Sequence, residues 1–249
     1  MQAPESIPKT RQQAFLTDER IPPREKYRRL FVGDTRWSAL IRYELLTITL
    51  TGLGGALGFW LRQKLYRWIF ARMGRGVVIG RYVTVRAPFR IALGDRVIIE
   101  DLALIDGRGG PGDTIHLEIG HDVFIGRGTH VVCHSGVIRI GHGVNIGANC
   151  LIQSAREVII EDHVLIAPYV YIAGATRAHD RTDVPVIAQA TISRGVRIGR
   201  GTWIGAHVFI DDGVTIGCDC IIGAGAIVLR DIPDRAVAVG VPARVIRYR

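Results

Sequence analysis

An aliphatic residue returns every sixth position through most of the second half of this 249-residue chain. From residue 192 the comb is unbroken: Ile192, Ile198, Ile204, Ile210, Ile216, Ile222 and Val228, with glycine following at 199, 205, 217 and 223. Four residues after each tooth stand Val196, Thr202, Val208, Val214, Cys220, Ala226 and Ile232, nearly all small or β-branched. Upstream the teeth come in threes: Leu93, Ile99, Ile105; Ile119, Ile125, Val131; Ile140, Ile146, Ile152; Ile160, Ile166, Ile172. Extra residues fall between triplets, never within them. A period of six fits neither an amphipathic helix, at about 3.6 residues per turn, nor an alternating hairpin. It fits short strands joined by tight turns, three to a coil, each coil hydrogen-bonded to the next at about 4.8 Å. The expected fold is therefore all-β: a triangular parallel β-helix of hexapeptide repeats, in which coils cover one another and only the ends need caps.

Thirty glycines against ten prolines and 7% aromatics suit such a fold, with many tight turns and an aliphatic core. The expected organisation is a polar, loosely ordered arm over 1–36, a helical hydrophobic and basic segment over 37–76, the solenoid over 77–233 and a C-terminal cap over 234–249. No signal peptide is evident near the start. Of the four cysteines, Cys133, Cys150, Cys218 and Cys220, the second and fourth fall at inward repeat positions. They read as small buried thiols, as suits a reducing, cytosol-facing compartment.

Between Glu44 and Arg62 lie seventeen uncharged residues, "LLTITLTGLGGALGFWL". As one helix they would reach about 26 Å, short of a hydrocarbon core of about 30 Å. Gly52, Gly54, Gly55 and Gly58 weaken that helix, and a basic stretch follows in which Leu61, Leu65, Trp68 and Ile69 share one helical face. Two readings stand: a peripheral anchor touching the inner membrane face through residues 45–73, or a helical hairpin packed on the main domain or a neighbouring subunit. The net charge is +9, and from Arg62 to Arg96 nine Lys or Arg face one acid, Asp95. Such a block favours anionic partners. No recognition motif accompanies it, so no nucleic-acid partner is expected.

The stretch "VRIGRGTWIGAHVFIDDGVTIGCDCIIGAGAIVLRDIPDRAVAVGVPARVI" resembles the hexapeptide-repeat acyltransferases, in particular the maltose and galactoside O-acetyltransferases and their relatives in surface-polysaccharide biosynthesis. That resemblance implies a left-handed coil, a homotrimer with active sites between subunits, and acetyl-CoA as donor with no metal required. The comb breaks at "GATRAHDRTDVPVIAQA", and "RAHDRTD" followed by "TWIG" matches the family's catalytic context. It points to His179 as general base, with Asp180 or Asp183 fixing the tautomer and Trp203 lining the acceptor and thioester region. An alcohol attacks a thioester only as its proton is taken, which suits an imidazole. The resemblance places the donor along Gly205, Ala206, Gly223 and Ala224, with Arg230 and Arg244 as phosphate contacts. Asn149 and Ser154 fall on the acceptor side. Arg177 and Arg181 favour an anionic acceptor, unless they pair with Asp180 and Asp183.

The expected activity is transfer of an acetyl group to a hydroxyl of a sugar, glycan or glycolipid, in the cytoplasm or at the inner membrane face. Three alternatives stay open: N-acetylation of an amino sugar, a non-catalytic trimeric scaffold, and a zinc carbonic anhydrase of the same fold. For the last, His116 and His121 are the suggestive pair. Nucleotidyl transfer is disfavoured, because no glycine-rich nucleotide-binding domain precedes the coils.

Overall fold

The computed structural model describes residues 11–34, 36–110 and 114–249. Three parallel sheets form the flat faces of a prism. Face A runs from Arg72–Met73 through Ile91–Leu93, Leu117–Ile119, Val137–Ile140, Glu157–Ile160 and Val196–Ile198 to Thr215–Ile216. Face B runs from Val78–Ile79 to Ile221–Ile222, and face C from Thr84–Arg86 to Ile227–Val228. The teeth stack in register: Ile146 lies between Ile125 and Ile166, Ile152 between Val131 and Ile172, and Ile160 between Ile140 and Ile198. All are buried in one continuous core, as are Thr202, Val208, Val214, Cys220 and Ala226 behind them.

Two of the three corners are tight turns with a residue in the left-handed region, such as Arg96 and Asp122 between faces A and B, and Leu102 and Tyr169 between B and C. The corner between C and A lacks this fixed turn, and both long excursions, 106–116 and 174–195, leave there. That is why insertions fall between triplets. Two expectations need correction. The solenoid begins at Arg72, with Ile79 and Val85 as its first buried teeth. Ile192 keeps the six-residue phase yet lies only half-buried in an antiparallel pair with Thr176, outside the solenoid.

Helices cover the first coil. The arm is helical from Arg11, in α1 (Arg11–Thr17) and α2 (Pro23–Tyr27), and Val32 buries fully against Ala39 and Tyr43, so loose order does not describe this part. Residues 1–10 lie outside the described residues. The apolar stretch folds as two helices, α3 (Trp37–Leu50) and α4 (Gly55–Leu65). Gly58 permits the turn between them, since a Cβ there would sit 2.1 Å from the Leu53 carbonyl oxygen. Arg62, fully buried, ties hairpin to solenoid: Nε donates to Ile79 O at 2.7 Å, and Nη1 donates to Leu50 O at 2.8 Å and Leu53 O at 2.7 Å. It thereby joins carbonyls of the end of α3, the turn after it and the first coil. Leu46, Leu50, Leu61, Leu65 and Ile69 join the solenoid core. The hairpin reading holds, and the face bearing Leu61, Leu65 and Ile69 packs inward; of that group Trp68 alone is exposed. Among the described residues, no helix is long and apolar enough to cross a membrane.

At the other end, Arg244–Tyr248 folds back antiparallel on Ala236–Val239, closing face B.

Candidate active site

The excursion after Tyr171–Ile172 is an ordered hairpin. Thr176–Arg177 pairs antiparallel with Thr191–Ile192, the Ala178 N–H donates to Ala190 O at 2.9 Å, and the Ser193 hydroxyl donates to Gly174 O at 2.6 Å. Gln189, buried, bridges the tip. Its Nε2 donates to Arg181 O at 2.8 Å and Val184 O at 3.3 Å, while its Oε1 accepts the Arg181 N–H at 3.4 Å. Sequence reasoning missed Gln189. Its one signal was chemical: an amide can donate and accept at once, as a loop with unpaired backbone groups requires.

His179 sits just beyond the paired strands, exposed, with Nδ1 3.0 Å from Arg177 O. A carbonyl only accepts, so Nδ1 carries the proton and Nε2 keeps its lone pair toward solvent. The tautomer is thus fixed by backbone, which corrects the expected role of the two aspartates. Asp183 pairs with Arg181, Nε to Oδ1 at 3.0 Å, and that hydrogen bond holds its carboxyl below the ordinary range. Asp180 is exposed and, among the described residues, makes no side-chain hydrogen bond. Arg177 donates from Nη1 to Ile187 O at 3.1 Å and Gln189 O at 3.2 Å, so both loop arginines have partners within the hairpin. Ser154 is also corrected: it is fully buried and donates to Val137 O at 2.8 Å, out of reach of an acceptor.

Asn149, Gly205, Ala206, Gly223 and Ala224 gather at the corner between faces B and C. Asn149 is exposed there at φ 55°, in the column that continues to Tyr169 and His207. The Tyr169 and His207 rings stack at 4.9 Å and 2°, an aromatic ledge beside Gly205 and Ala206 that sequence reasoning missed. Its signal was the shared position three residues after a tooth. Gly205 and Gly223 serve the coil: their amides donate to Ile222 O and Ala238 O at 2.8 Å, and a Cβ on Gly205 would lie 2.6 Å from the Ala224 nitrogen. The outward donors are instead the N–H groups of Ala206 and Ala224, which among the described residues have no intrachain acceptor. Arg244 stands at the end of this ridge, opposite Val239, whereas Arg230 lies exposed on the corner between C and A. Trp203 is half-exposed on face B between Leu165 and Ile221.

Within one chain, then, the full width of face C separates the His179 corner from the ridge. The faces differ in what they show outward. Face A carries charge, with Arg72–Glu118, Arg139–Glu157 and Arg197–Glu161 ion pairs. Face C presents Leu104, Leu151, Tyr171, Phe209 and Ile227, and face B presents Ile98, Phe124, Leu165, Trp203 and Ile221, all at least partly exposed. A groove of about 660 Å³ follows the A/B corner past Glu118, His121, Arg139, His142 and Glu161, away from the hairpin. His116 and His121 do not converge. His116 is buried in the first excursion, where its Nδ1 accepts the Gly109 N–H, while His121 stacks on His142 at the A/B corner.

No family model matches the chain. Over 133 residues, 53% of its length, it is 39% identical to a probable acetyltransferase of Mycobacterium tuberculosis, covering 44% of that protein. Over 112 residues it is 43% identical to the galactoside O-acetyltransferase of Escherichia coli, covering 53% of it. The chain is a sequence relative of named acetyltransferases. It spans about half the length of each of these two. Among solved structures it superposes on a variant of AntD, an N-acyltransferase from Bacillus cereus crystallised with dTDP and coenzyme A. The TM-score is 0.52 over 81% of this chain and 91% of the other, at 20% identity. At that identity the likeness establishes the fold.

Proposed function

We propose that this protein is a coenzyme A-dependent O-acyltransferase that moves an acetyl group from acetyl-CoA to a hydroxyl of a sugar, glycan or glycolipid. The observation that carries the reading is His179: a pinned hairpin projects an imidazole whose Nδ1 proton is committed to Arg177 O and whose Nε2 is free. Nε2 takes the acceptor hydroxyl's proton as the oxygen attacks the thioester carbonyl. When the tetrahedral adduct collapses, the C–S bond breaks and the same proton passes to the departing thiolate. No electron pair or proton is left over, and no metal is required. The Ala206 and Ala224 N–H groups face the donor along the ridge, Trp203 and the Tyr169–His207 stack give it flat apolar surface, and Arg244 answers its phosphates. Asn149 lies on the same ridge for the acceptor.

The site is completed in a threefold assembly of left-handed coils. If three copies turn face C toward a common axis, the C/A corner of one adjoins the B/C corner of the next, so His179 and Arg230 meet the neighbour's ridge. The apolar outward residues of face C support that arrangement, and the charged face A suits solvent. Because acetyl-CoA is cytosolic, so is the site. An amino-sugar acceptor is the second reading, favoured by the N-acyltransferase of the same fold.

The test is kinetic. His179→Ala is expected to lower turnover by about 10² to 10⁴ while leaving coenzyme A affinity unchanged. Thiol release is followed over a panel of hydroxyl and amine acceptors, and an unaltered rate would remove the histidine from the mechanism.

A further inference from the structure

The outer surface of the helical cap is apolar and exposed among the described residues. On α3 the outward residues Trp37, Ile41, Leu45 and Ile48 follow the i, i+4, i+8, i+11 spacing of one helical face, opposite the face of Tyr43, Leu46 and Leu50 that meets the solenoid. Ile48 is 74% exposed. On α4, Leu57 and Trp60 are exposed at 60% and 55%, and Trp68 follows on the next turn of chain. These are more contiguous apolar side chains than a surface serving only water carries.

Charge decides between occupants. Residues 37–76 hold six Lys or Arg and one acid, Glu44, which accepts the Tyr27 hydroxyl. Lys64 and Arg67 lie exposed beside Trp60 and Trp68, and among the described residues neither has an acidic partner. A second copy docked on this face would bring like charges together. Tryptophans with neighbouring cations instead suit the boundary between headgroups and acyl chains of an anionic bilayer. We propose that the outer face of α3 and α4, with Trp68, Lys64 and Arg67 at its rim, docks on an anionic lipid surface without crossing it. In a threefold assembly about an axis parallel to the solenoids, three such caps face the same way and engage one membrane together. This last step, and the consequence that the acceptor is a lipid-linked glycan, rest on the acyltransfer reading. The docking surface does not.

The experiment is cosedimentation of the full-length protein with vesicles of phosphatidylcholine alone or mixed with phosphatidylglycerol. Binding to the mixed vesicles is expected, weakening as salt is added. Replacing exposed residues together, Ile41→Ser, Leu45→Ser and Trp60→Ser, is expected to lower the bound fraction at least about tenfold. The Lys64→Glu, Arg67→Glu pair is expected to remove the preference for phosphatidylglycerol. Equal binding by wild type and the triple variant overturns the proposal, as does no binding. So does a wild-type mass in sedimentation that exceeds the variant's, since a second copy then covers the face. Thiol release with a soluble acceptor, measured separately on both proteins, tests the enzymatic reading and leaves the vesicle result standing on its own.

Discussion

Cys150 and Cys220 occupy equivalent niches at two different corners, and each is held by a threonine one coil earlier. Thr129 Oγ1 donates to Gly147 O at 2.6 Å and accepts the Cys150 N–H at 3.1 Å; Thr202 Oγ1 donates to Gly217 O at 2.8 Å and accepts the Cys220 N–H at 3.1 Å. A buried hydroxyl with both functions used is compatible with the core, and a thiol beside it adds volume without a strong polar demand. Burial pushes the Cys150, Cys220 and Cys133 thiols above their ordinary value, so the reactive thiolate is scarce at neutral pH. Cys218 alone of the four is half-exposed, on a turn where a reagent can reach it. Titration of the native protein with a disulfide reagent is therefore expected to find one fast thiol, and four once denaturant is added. Loss of the fast thiol in Cys218→Ser identifies it; two or more fast native thiols would contradict the burial of the others.

At the level of elements, the comb disclosed the strands because a tooth every six residues is what a three-faced coil must bury, and side-chain type alone reports burial. Pairing direction leaves no such trace. Ile192 keeps phase with Ile198 by coincidence of spacing, yet its neighbours run antiparallel in the hairpin that holds His179. The place of His179 in the interruption was legible from the sequence. Its orienting partner was not, because Arg177 O is a backbone atom that every residue possesses. Arg62 shows the converse error, since in an apolar helix followed by Lys64 and Arg67 it reads as surface charge. The fold instead buries it against three carbonyls and the Phe59 ring. Desolvation lowers its pKa, but Ile79 O and Leu53 O lose this donor if it goes. Arg62→Met is expected to destabilise the cap by about 2 kcal/mol, since Leu50 O keeps the Leu53 N–H while the Ile79 and Leu53 carbonyls are orphaned at a cost on the order of 1 kcal/mol each. Denaturant unfolding read by tryptophan fluorescence measures this, because Trp37, Trp60 and Trp68 report the cap and Trp203 reports the solenoid. A coincident, unshifted transition at both would show that Arg62 does not fasten the two.

For the whole molecule, repetition and its interruption divide the work between two corners. The turns between faces B and C stack their αL residues coil upon coil and make a straight ridge, which suits a long extended donor. The corner between C and A accepts insertions and can project a single base. Face C lies between them, and in the proposed threefold assembly the corner of one copy meets the ridge of the next. That arrangement makes a prediction independent of the acceptor. His179→Ala and Trp203→Ala are each expected to fall well below wild-type turnover as pure assemblies, since in the proposed assembly every site takes one residue from each of two neighbours. When the two are unfolded together in equal amounts and refolded, a site works only if its base comes from a Trp203→Ala copy and its tryptophan from a His179→Ala copy. Random assembly gives that combination at about one site in four, so roughly a quarter of wild-type turnover is expected to return. Mixing the two without unfolding is expected to restore nothing until subunits exchange. Absence of recovery after refolding, with assembly confirmed by sedimentation, would place base and tryptophan on the same chain, against the separation that face C imposes.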